Sequence, residues 1–274
     1  MYVSLKETIK TECNNINYSI ILPFIKYTFR YSKYFAIFTK LKQFIEMKKI
    51  ALIVAGGSGT RMEADIPKQF MLLNNKPVLM HTIERFYKYD SKLPIIVVLP
   101  ENEIKNWNEL VNKYFFGVEH IVVTGGRDRF QSVRNGLEMV TDRCILSIHD
   151  GVRPLCSTNL IMRCFDEAEK YSSAVPAIKI SESIREIKNG KNFSVNRDHL
   201  RIIQTPQCFD SILLKQSYEN VARKNLVTIF TDDASVFEQD GNSINLIEGE
   251  RNNIKITLKE DLIIASEIEK ASSS

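Results

Sequence analysis

The sequence predicts an α/β fold: a doubly wound, mostly parallel, Rossmann-like sheet with helices on both faces. From Lys48 onward, short apolar runs alternate with segments of helical periodicity. Runs that are apolar throughout, such as 50–54, are typical of central parallel strands, which are buried on both faces. A glycine-rich turn follows this first run directly, at the sheet edge where such folds bind their ligands.

The alternation also predicts where the elements lie. The apolar runs predict strands at 49–54, 94–99, 120–123 and 144–149. The amphipathic segments predict helices at 78–89, 102–115 and 129–140, and near 157–171, 210–224 and 258–271.

Residues 177–204 break this rhythm. Alternation over 177–187, a turn signal at 188–192 and a short return over 193–196 predict a protruding β-hairpin arm. A two-stranded hairpin is marginally stable alone. We therefore expect the arm to pack on a second subunit and the chain to form a homodimer.

The composition of the chain limits the classes of function that it can have. The 274 residues are 44% hydrophobic and 26% charged, as in ordinary globular proteins. The net charge of +4 lies in residues 1–46, because the remainder holds equal numbers of acidic and basic residues. A neutral body disfavours a nucleic-acid surface. The five cysteines show neither a C-x-x-C pair nor zinc spacing, which predicts reduced thiols in a cytoplasmic protein.

Residues 1–46 differ from the rest of the chain. They contain ten Phe or Tyr residues but no apolar stretch long enough to span a bilayer, and no signal-peptide pattern. A basic amphipathic surface helix is one interpretation. A simpler one is that Met47 is the natural start. We expect 1–46 to be a dispensable extension, 47–274 to be the functional domain, and no membrane to be a partner.

The glycine-rich stretch 55–62, A-G-G-S-G-T-R-M, is followed by Pro67-Lys68-Gln69. Its glycines permit a tight turn whose amides can bind an anion. Arg61 and Lys68 add two cations, which together with the turn indicate a phosphate site. The stretch lacks both the P-loop signature and the G-x-G-x-x-G spacing. An ordinary strand-to-helix turn is the alternative.

A second candidate, D-G-V-R-P, follows the strand predicted at 144–149. Asp150 offers the carboxylate oxygens that Mg²⁺ prefers near a triphosphate. Arg153 would bind a phosphate or support Asp150. A helix cap with a structural ion pair accounts for the motif equally well. His149 is expected to be packed in the core.

Two further segments complete the set. Gly126 and Ser132 flank the start of a predicted helix and could read a base edge, with Arg129 as a phosphate-binding or structural cation; an ordinary helix cap is the alternative. Lys255 stands in what we predict to be an apolar strand, where burial is costly unless the ammonium meets an anion. Many cations and hydroxyls, without a paired nucleophile and base, favour phosphoryl or nucleotidyl transfer.

Over residues 48–271 the sequence resembles one family. A-G-G-S-G-T-R-M, P-K-Q, D-G-V-R-P, T-P-Q-C-F, T-D-D-A-S and N-I-K-I-T occur in the order found in the 2-C-methyl-D-erythritol 4-phosphate cytidylyltransferases of the non-mevalonate isoprenoid pathway. P-K-Q and T-P-Q distinguish this group from the sugar-1-phosphate nucleotidyltransferases. The resemblance implies that CTP and methylerythritol 4-phosphate, with Mg²⁺, give the CDP-alcohol and pyrophosphate by in-line attack on the α-phosphorus.

The resemblance also implies residue roles. Arg61 and Lys68 would stabilise charge on the α-phosphate and the leaving group, while Arg197 and Lys255 would hold the acceptor phosphate. The residues expected around CTP and Mg²⁺ are Ala55, Gly56, Gly57, Gly59, Gly126, Ser132, Asp150 and Arg153, with Asp150 as the candidate metal ligand. The residues expected around the acceptor are Ser183, Arg197, Thr205, Thr231 and Lys255.

Two positions depart from the family pattern, and two other functions stay open. Arg127 and Asn196 stand where the family often has Asp, which puts a side-chain role at Arg127 in doubt. A ribitol 5-phosphate cytidylyltransferase would carry nearly the same motifs. A non-catalytic nucleotide-binding module is the alternative from another class, and the presence of both Arg61 and Lys68 counts against it.

Overall fold

A computed structural model describes residues 47–56, 66–224 and 230–273. The extension 1–46 and the predicted site residues Gly57, Gly59 and Arg61 lie outside these ranges. The strands within them are β1 (Lys49–Val54), β2 (Leu72–Leu73), β3 (Lys76–Pro77), β4 (Ile95–Leu99), β5 (Ile121–Thr124), β6 (Ile145–Asp150), β7 (Ser173–Lys179), β8 (Ile184–Lys188), β9 (Lys191–Val195), β10 (Arg201–Ile203), β11 (Gln207–Asp210) and β12 (Leu246–Glu248). The helices are α1 (Val78–Tyr89), α2 (Glu101–Lys113), α3 (Arg129–Glu138), α4 (Thr158–Tyr171), α5 (Ser211–Arg223), α6 (Asp233–Gln239) and α7 (Lys259–Ser273).

The central sheet has the order β10-β7-β11-β6-β1-β4-β5, and β12 also pairs with β7. β1 lies between β4 and β6 and is parallel to both, and β4 is parallel to β5. β11 runs antiparallel between β6 and β7. The chain therefore turns to opposite sides of β1, and the predicted doubly wound, mostly parallel fold is confirmed.

Helices cover both faces of this sheet. Ala51 and Ile53 of β1 pack on the side of α1, α2 and α4, whereas Leu52 and Val54 pack on the side of α3, α5 and α6. Successive strand side chains point to opposite faces, so a strand covered on both sides is apolar at every position. A smaller cluster that includes Val152 packs beneath α7.

Local capping signals set the helix boundaries. The side chains of Asp128, Ser157, Asp210 and Asp232 each accept a backbone N–H in the first turn of α3, α4, α5 and α6. Such signals depend only on neighbouring residues. The predicted strands and helices between 49 and 171 accordingly agree with the structure to within two residues at each end.

The prediction of one strand over 177–187 is wrong. β7 ends at Lys179 inside the central sheet, and β8 pairs with β9 in a separate two-stranded hairpin. The hairpin turn is formed by Asn189 and Gly190, which both have positive φ, as a type I′ turn requires. The short strands β10, β11 and β12 were not predicted, because they are defined by distant partners. The role of the hairpin as a dimerisation arm stays a prediction.

The predicted strand around Lys255 is also wrong, because residues 253–257 have no regular secondary structure. Ile256 instead donates a single backbone hydrogen bond to the carbonyl of Val152 at 2.9 Å. Of the described helices, none combines the length and apolarity that crossing a membrane demands. Cys144, Cys156, Cys164 and Cys208 are buried free thiols, as expected of reduced cysteines.

Candidate active site

Three loops meet at the carboxyl edge of the sheet. Gly151, directly after β6, donates its N–H to the carbonyl of Val54 at the end of β1. A Cβ on Gly151 would lie 2.8 Å from the Cβ of Ala55, so glycine is needed for this approach. Gly125 donates to Leu99 at the end of β4, at 2.7 Å. The loops after β1, β5 and β6 thus form adjacent walls of one site.

The second glycine turn packs against the first. Gly126 donates its N–H to Ser132 Oγ at 3.1 Å, and Ser132 Oγ donates to the carbonyl of Asp128 at 2.7 Å. A Cβ on Gly56 would lie 3.4 Å from the same hydroxyl. The interpretation of this turn as a helix cap is correct, since Asp128 caps α3. Ser132 is buried, and its hydroxyl lies between the two turns.

Asp150 is the centre of the site. Its Oδ2 lies 3.0 Å from Lys255 Nζ and 3.1 Å from Arg153 Nε, and its Oδ1 lies 3.9 Å from Arg129 Nε. Burial alone would raise the pKa of Asp150, but the charges of Lys255, Arg129 and Arg153 hold it well below its usual range. Arg129 also pairs with Asp233, so three cations face two carboxylates. The cluster keeps a net positive charge and is suited to a polyphosphate.

Backbone contacts fix two of these cations. Arg153 Nη1 donates to the carbonyl of Asn253 at 2.8 Å, which ties the loop after β6 to the segment that carries Lys255. The bond from Ile256 to Val152 holds the same segment from its other side. The side chain of Lys255 remains 40% exposed, whereas that of Asp150 is 9% exposed. Lys255 therefore meets an anion, as the sequence predicted, while still facing solvent.

Arg129 connects Asp150 to a second buried acid. Its guanidinium donates to both carboxylate oxygens of Asp233, at 2.9 and 2.6 Å, and the Tyr218 hydroxyl donates to Asp233 Oδ1 at 2.6 Å. Burial acts to lower the pKa of Arg129, but Asp233 and then Asp150 raise it above its ordinary value. Of the two roles left open for Arg129, the structure supports the structural cation.

A chain of hydrogen bonds holds the backbone of Asp150, and we call it the Thr205 relay. The backbone N–H of Asp150 donates to Thr205 Oγ1 at 3.1 Å, and that oxygen lies 3.0 Å from His149 Nδ1. His149 Nε2 lies 3.1 Å from the carbonyl of Arg153. Because a carbonyl only accepts, we assign the imidazole proton to Nε2 and the Thr205 hydroxyl proton to the bond with Nδ1. Burial lowers the pKa of His149 to about 4, so the ring is neutral.

The remaining predicted residues lie around this centre. Lys68 begins a short 3₁₀ turn that is fixed by the stacking of Phe70 on Trp107, with ring centroids 5.9 Å apart. Thr231 is exposed beside Asp232, which caps α6 as that motif allowed. Ser183 is exposed in the loop between β7 and β8. Arg197 is exposed after β9 and donates to the carbonyl of Ser181. In the part of the chain that the structure describes, no hydrogen bond or ion pair links these four predicted residues to Asp150.

Sequence reasoning missed Tyr218, Asp233 and the Thr205 relay. The T-D-D-A-S motif carried a signal, because one Asp suffices to cap a helix and the second then needs its own partner. Nothing local to Tyr218 or Thr205 indicated their contacts. Both are polar groups buried by the tertiary fold.

Comparison with known proteins decides the family. The family model for 2-C-methyl-D-erythritol 4-phosphate cytidylyltransferase matches residues 49–270. The chain belongs to this family. Two relatives that carry this enzyme's name are those of Bacteroides thetaiotaomicron, 44% identical over 80% of this chain and 99% of the relative, and Porphyromonas gingivalis, 46% identical over 81% and 97%.

Solved structures of this cytidylyltransferase family have the same fold. The enzyme of Francisella tularensis is 30% identical with a TM-score of 0.68, over 80% of this chain and 98% of that one. The synthase of Anaerococcus prevotii is 29% identical with a TM-score of 0.68, over 82% and 96%. The resemblance found in the motifs is thereby confirmed, and the chain is a nucleotidyltransferase. Neither the ribitol enzyme nor the binding module is favoured by these matches.

Proposed function

We propose that this chain joins CTP and 2-C-methyl-D-erythritol 4-phosphate to give 4-diphosphocytidyl-2-C-methyl-D-erythritol and pyrophosphate. The observation that carries the proposal is the Asp150 centre, in which three cations surround one carboxylate at the ligand-binding edge of the sheet. Nucleotidyl transfer needs this kind of site, because positioning and charge neutralisation supply most of the catalysis.

The acceptor phosphate is itself the nucleophile. One of its oxygens forms a bond to the α-phosphorus of CTP. The bond from the α-phosphorus to the oxygen that bridges the α- and β-phosphates breaks, and pyrophosphate leaves with that electron pair. A phosphate monoester is already ionised at neutral pH, because its second pKa is about 6. No general base is therefore required. The neutral His149, with both ring nitrogens hydrogen-bonded inside the fold, is a structural residue in this scheme.

The two sides of the site bind different substrates. On the nucleotide side, Arg61 and Lys68 would neutralise the α-phosphate and the leaving pyrophosphate, beside the turns of Ala55, Gly56, Gly57, Gly59, Gly126 and Ser132. On the acceptor side, Lys255 and Arg197 would hold the acceptor phosphate, and Ser183 and Thr231 would supply hydroxyls. The exposure of Lys255 supports this division, since its ammonium contacts Asp150 and still faces solvent.

The described residues fit Mg²⁺ only in a limited role. They contain no group of three or more His, Cys, Asp or Glu side chains able to hold a metal ion. Asp150 Oδ2 is engaged by Lys255 and Arg153, whereas Oδ1 has only the more distant Arg129, at 3.9 Å, and is the oxygen to offer. Mg²⁺ commonly uses one or two carboxylates together with substrate phosphates. We infer that Asp150 would be the protein contact of a Mg²⁺ ion bound to the triphosphate, and that the ion would supply neutralisation of phosphate charge.

We further propose that the chain acts as a cytoplasmic homodimer. Four buried free cysteines support a reducing compartment. The hairpin exposes Ile187 and Phe193, large apolar side chains that association through the arm would cover. Ser183 and Arg197, at the base of the hairpin, would then serve the acceptor site of the partner subunit.

A pyrophosphate-release assay tests the proposed function. With CTP and Mg²⁺, we expect release with methylerythritol 4-phosphate and little with ribitol 5-phosphate or without acceptor. Lys255→Met should raise the acceptor KM while the CTP KM stays nearly constant, and Lys259→Met, a nearby exposed cation on α7, is the matched control. If neither polyol phosphate gives pyrophosphate release, the proposal is refuted. A preference for ribitol 5-phosphate would show that this compound, and not methylerythritol 4-phosphate, is the acceptor.

A further inference from the structure

We propose that a groove at the base of the hairpin binds a phosphate group through four cations, of which only Arg197 has been given a role above. We call it the basal groove. It encloses about 420 Å³ and is lined by Lys179, Ile180, Arg197, Asp198, Arg201 and Arg251. Four of these six side chains are cationic and one is acidic, so an anion is the ligand class that its charge selects.

The basal groove and the Asp150 centre lie at the same edge of the sheet. β7 is antiparallel to β11, which is antiparallel to β6, so β6 and β7 point the same way. Lys179 ends β7 as Asp150 ends β6. Through β11, Ser147 of β6 is level with Ala174 of β7, so Asp150 is level with Ala177 and Lys179 lies two residues further along. With two strand spacings of about 4.8 Å and about 3.3 Å per residue, the two ends are separated by about 12 Å at the backbone. Arg201 pairs with Lys179 in register across β10 and β7, which places both cations at one position along the edge.

The groove cations are oriented but not neutralised. Arg201 Nη1 donates to the carbonyls of Asp198 and Leu200, at 2.9 and 2.7 Å, and Arg197 donates to the carbonyl of Ser181. Among residues 47–56, 66–224 and 230–273, no carboxylate oxygen lies within 4.0 Å of a nitrogen of the four groove cations.

Two acids lie near this cluster and leave it positive. Asp198 lines the groove, and Glu182 stands close enough to Arg251 for a weak interaction. The pKa of Glu182 is lowered chiefly by a hydrogen bond from the Ser181 hydroxyl, with Arg251 the smallest of the contributions. The Glu182 carboxylate is therefore stabilised mainly by its neighbour Ser181 and only weakly by Arg251.

Phosphate matches this arrangement better than a carboxylate does. Guanidinium groups bind phosphate oxygens through paired N–H donors, and a lysine adds a point charge. A dianion relieves the mutual repulsion of several cations at once, and the relief grows with the charge of the ligand. The shared chemistry is a phosphate monoester or pyrophosphate group. The group could belong to the acceptor or to released pyrophosphate, and both of these sources rest on the proposed function.

Titration calorimetry at fixed ionic strength tests binding itself, with inorganic phosphate and pyrophosphate as separate probes. The variant Lys179→Ala/Arg251→Ala leaves Arg197 intact. The variant Lys88→Ala/Lys92→Ala removes two exposed cations from another part of the surface and is the matched control. We expect at least a tenfold loss of affinity for one or both probes in the groove variant and none in the control. Equal affinities in the two variants would overturn the proposal, whether or not the chain transfers cytidylyl groups.

Steady-state kinetics on the same variants then identify the source of the phosphate. A rise in acceptor KM at constant CTP KM would assign the groove to the acceptor phosphate. An unchanged acceptor KM with weaker inhibition by pyrophosphate would assign it to the product. If binding, acceptor KM and pyrophosphate inhibition all match the control variant, the groove has no phosphate ligand. These readouts remain distinct from failure of the proposed function, which appears as absent pyrophosphate release in the unmodified chain.

Discussion

Replacing Thr205 with valine should destabilise the protein strongly, although the two side chains have nearly the same shape. Thr205 Oγ1 accepts the backbone N–H of Asp150 at 3.1 Å and bonds His149 Nδ1 at 3.0 Å, and all three residues are buried. Valine would leave a buried donor and a buried acceptor without partners. Each unsatisfied group costs about 1–3 kcal/mol, so the expected loss in the free energy of unfolding is about 2–6 kcal/mol.

The matched control for this change is Thr205→Ser, which keeps the hydroxyl and removes one methyl group. Urea denaturation should show Thr205→Ser much closer to the unmodified protein than Thr205→Val. In thermal unfolding, each kcal/mol corresponds to about 2–4 °C in Tm for a domain of this size. If valine costs no more than serine, the Thr205 relay does not support Asp150.

Three other predictions follow from the site. Arg129→Gln leaves the buried Asp233 without its bidentate partner and should cost about 3–5 kcal/mol in urea denaturation, whereas Arg223→Gln, which breaks an exposed ion pair, should change stability little; equal effects would contradict the buried network. The pKa of His149 is about 4 in the folded state and near 6.5 in the unfolded state. Its contribution to the free energy of unfolding should therefore fall by about 3 kcal/mol as the pH drops from 7 to 4. This slope should be absent in His149→Gln if that variant folds, and a slope that persists there would locate the titration elsewhere. Lys68→Ala should lower turnover by orders of magnitude while calorimetry still detects CTP, and unchanged turnover would remove its role in the transition state.

Signals that depend on neighbouring residues made much of the fold predictable. The apolar run of β1 and the caps of the helices are such signals, and they placed most elements before residue 171 closely. β11 shows where they fail. It has four residues, and it exists because β6 and β7 lie on either side of it. Neither neighbour is close to β11 in sequence, so periodicity could not identify it.

Chemical reasoning predicted several of the residues that the fold brings together, but it did not predict all the side chains that they contact. The rule that ligands bind at the carboxyl ends of parallel strands placed Asp150 and the two glycine turns together. The cost of burying an ammonium predicted that Lys255 meets an anion. Sequence did not reveal that this anion is Asp150, because the contact depends on how residues 253–257 dock on the loop after β6.

That contact gives Asp150 and Lys255 unequal roles. Arg153 and Lys255 bind the same oxygen of Asp150, at 3.1 and 3.0 Å, while Arg129 approaches the other oxygen. Asp150 would therefore keep two cationic partners, and its carboxylate would stay ionised, if the proposed acceptor phosphate drew Lys255 away. Lys255 has no comparable second anion in the described part of the chain, and its ammonium faces solvent. If Lys255 binds the acceptor phosphate as proposed, Asp150 would hold the lysine in place before the substrate arrives. The phosphate could then share that lysine without leaving a buried charge unpaired.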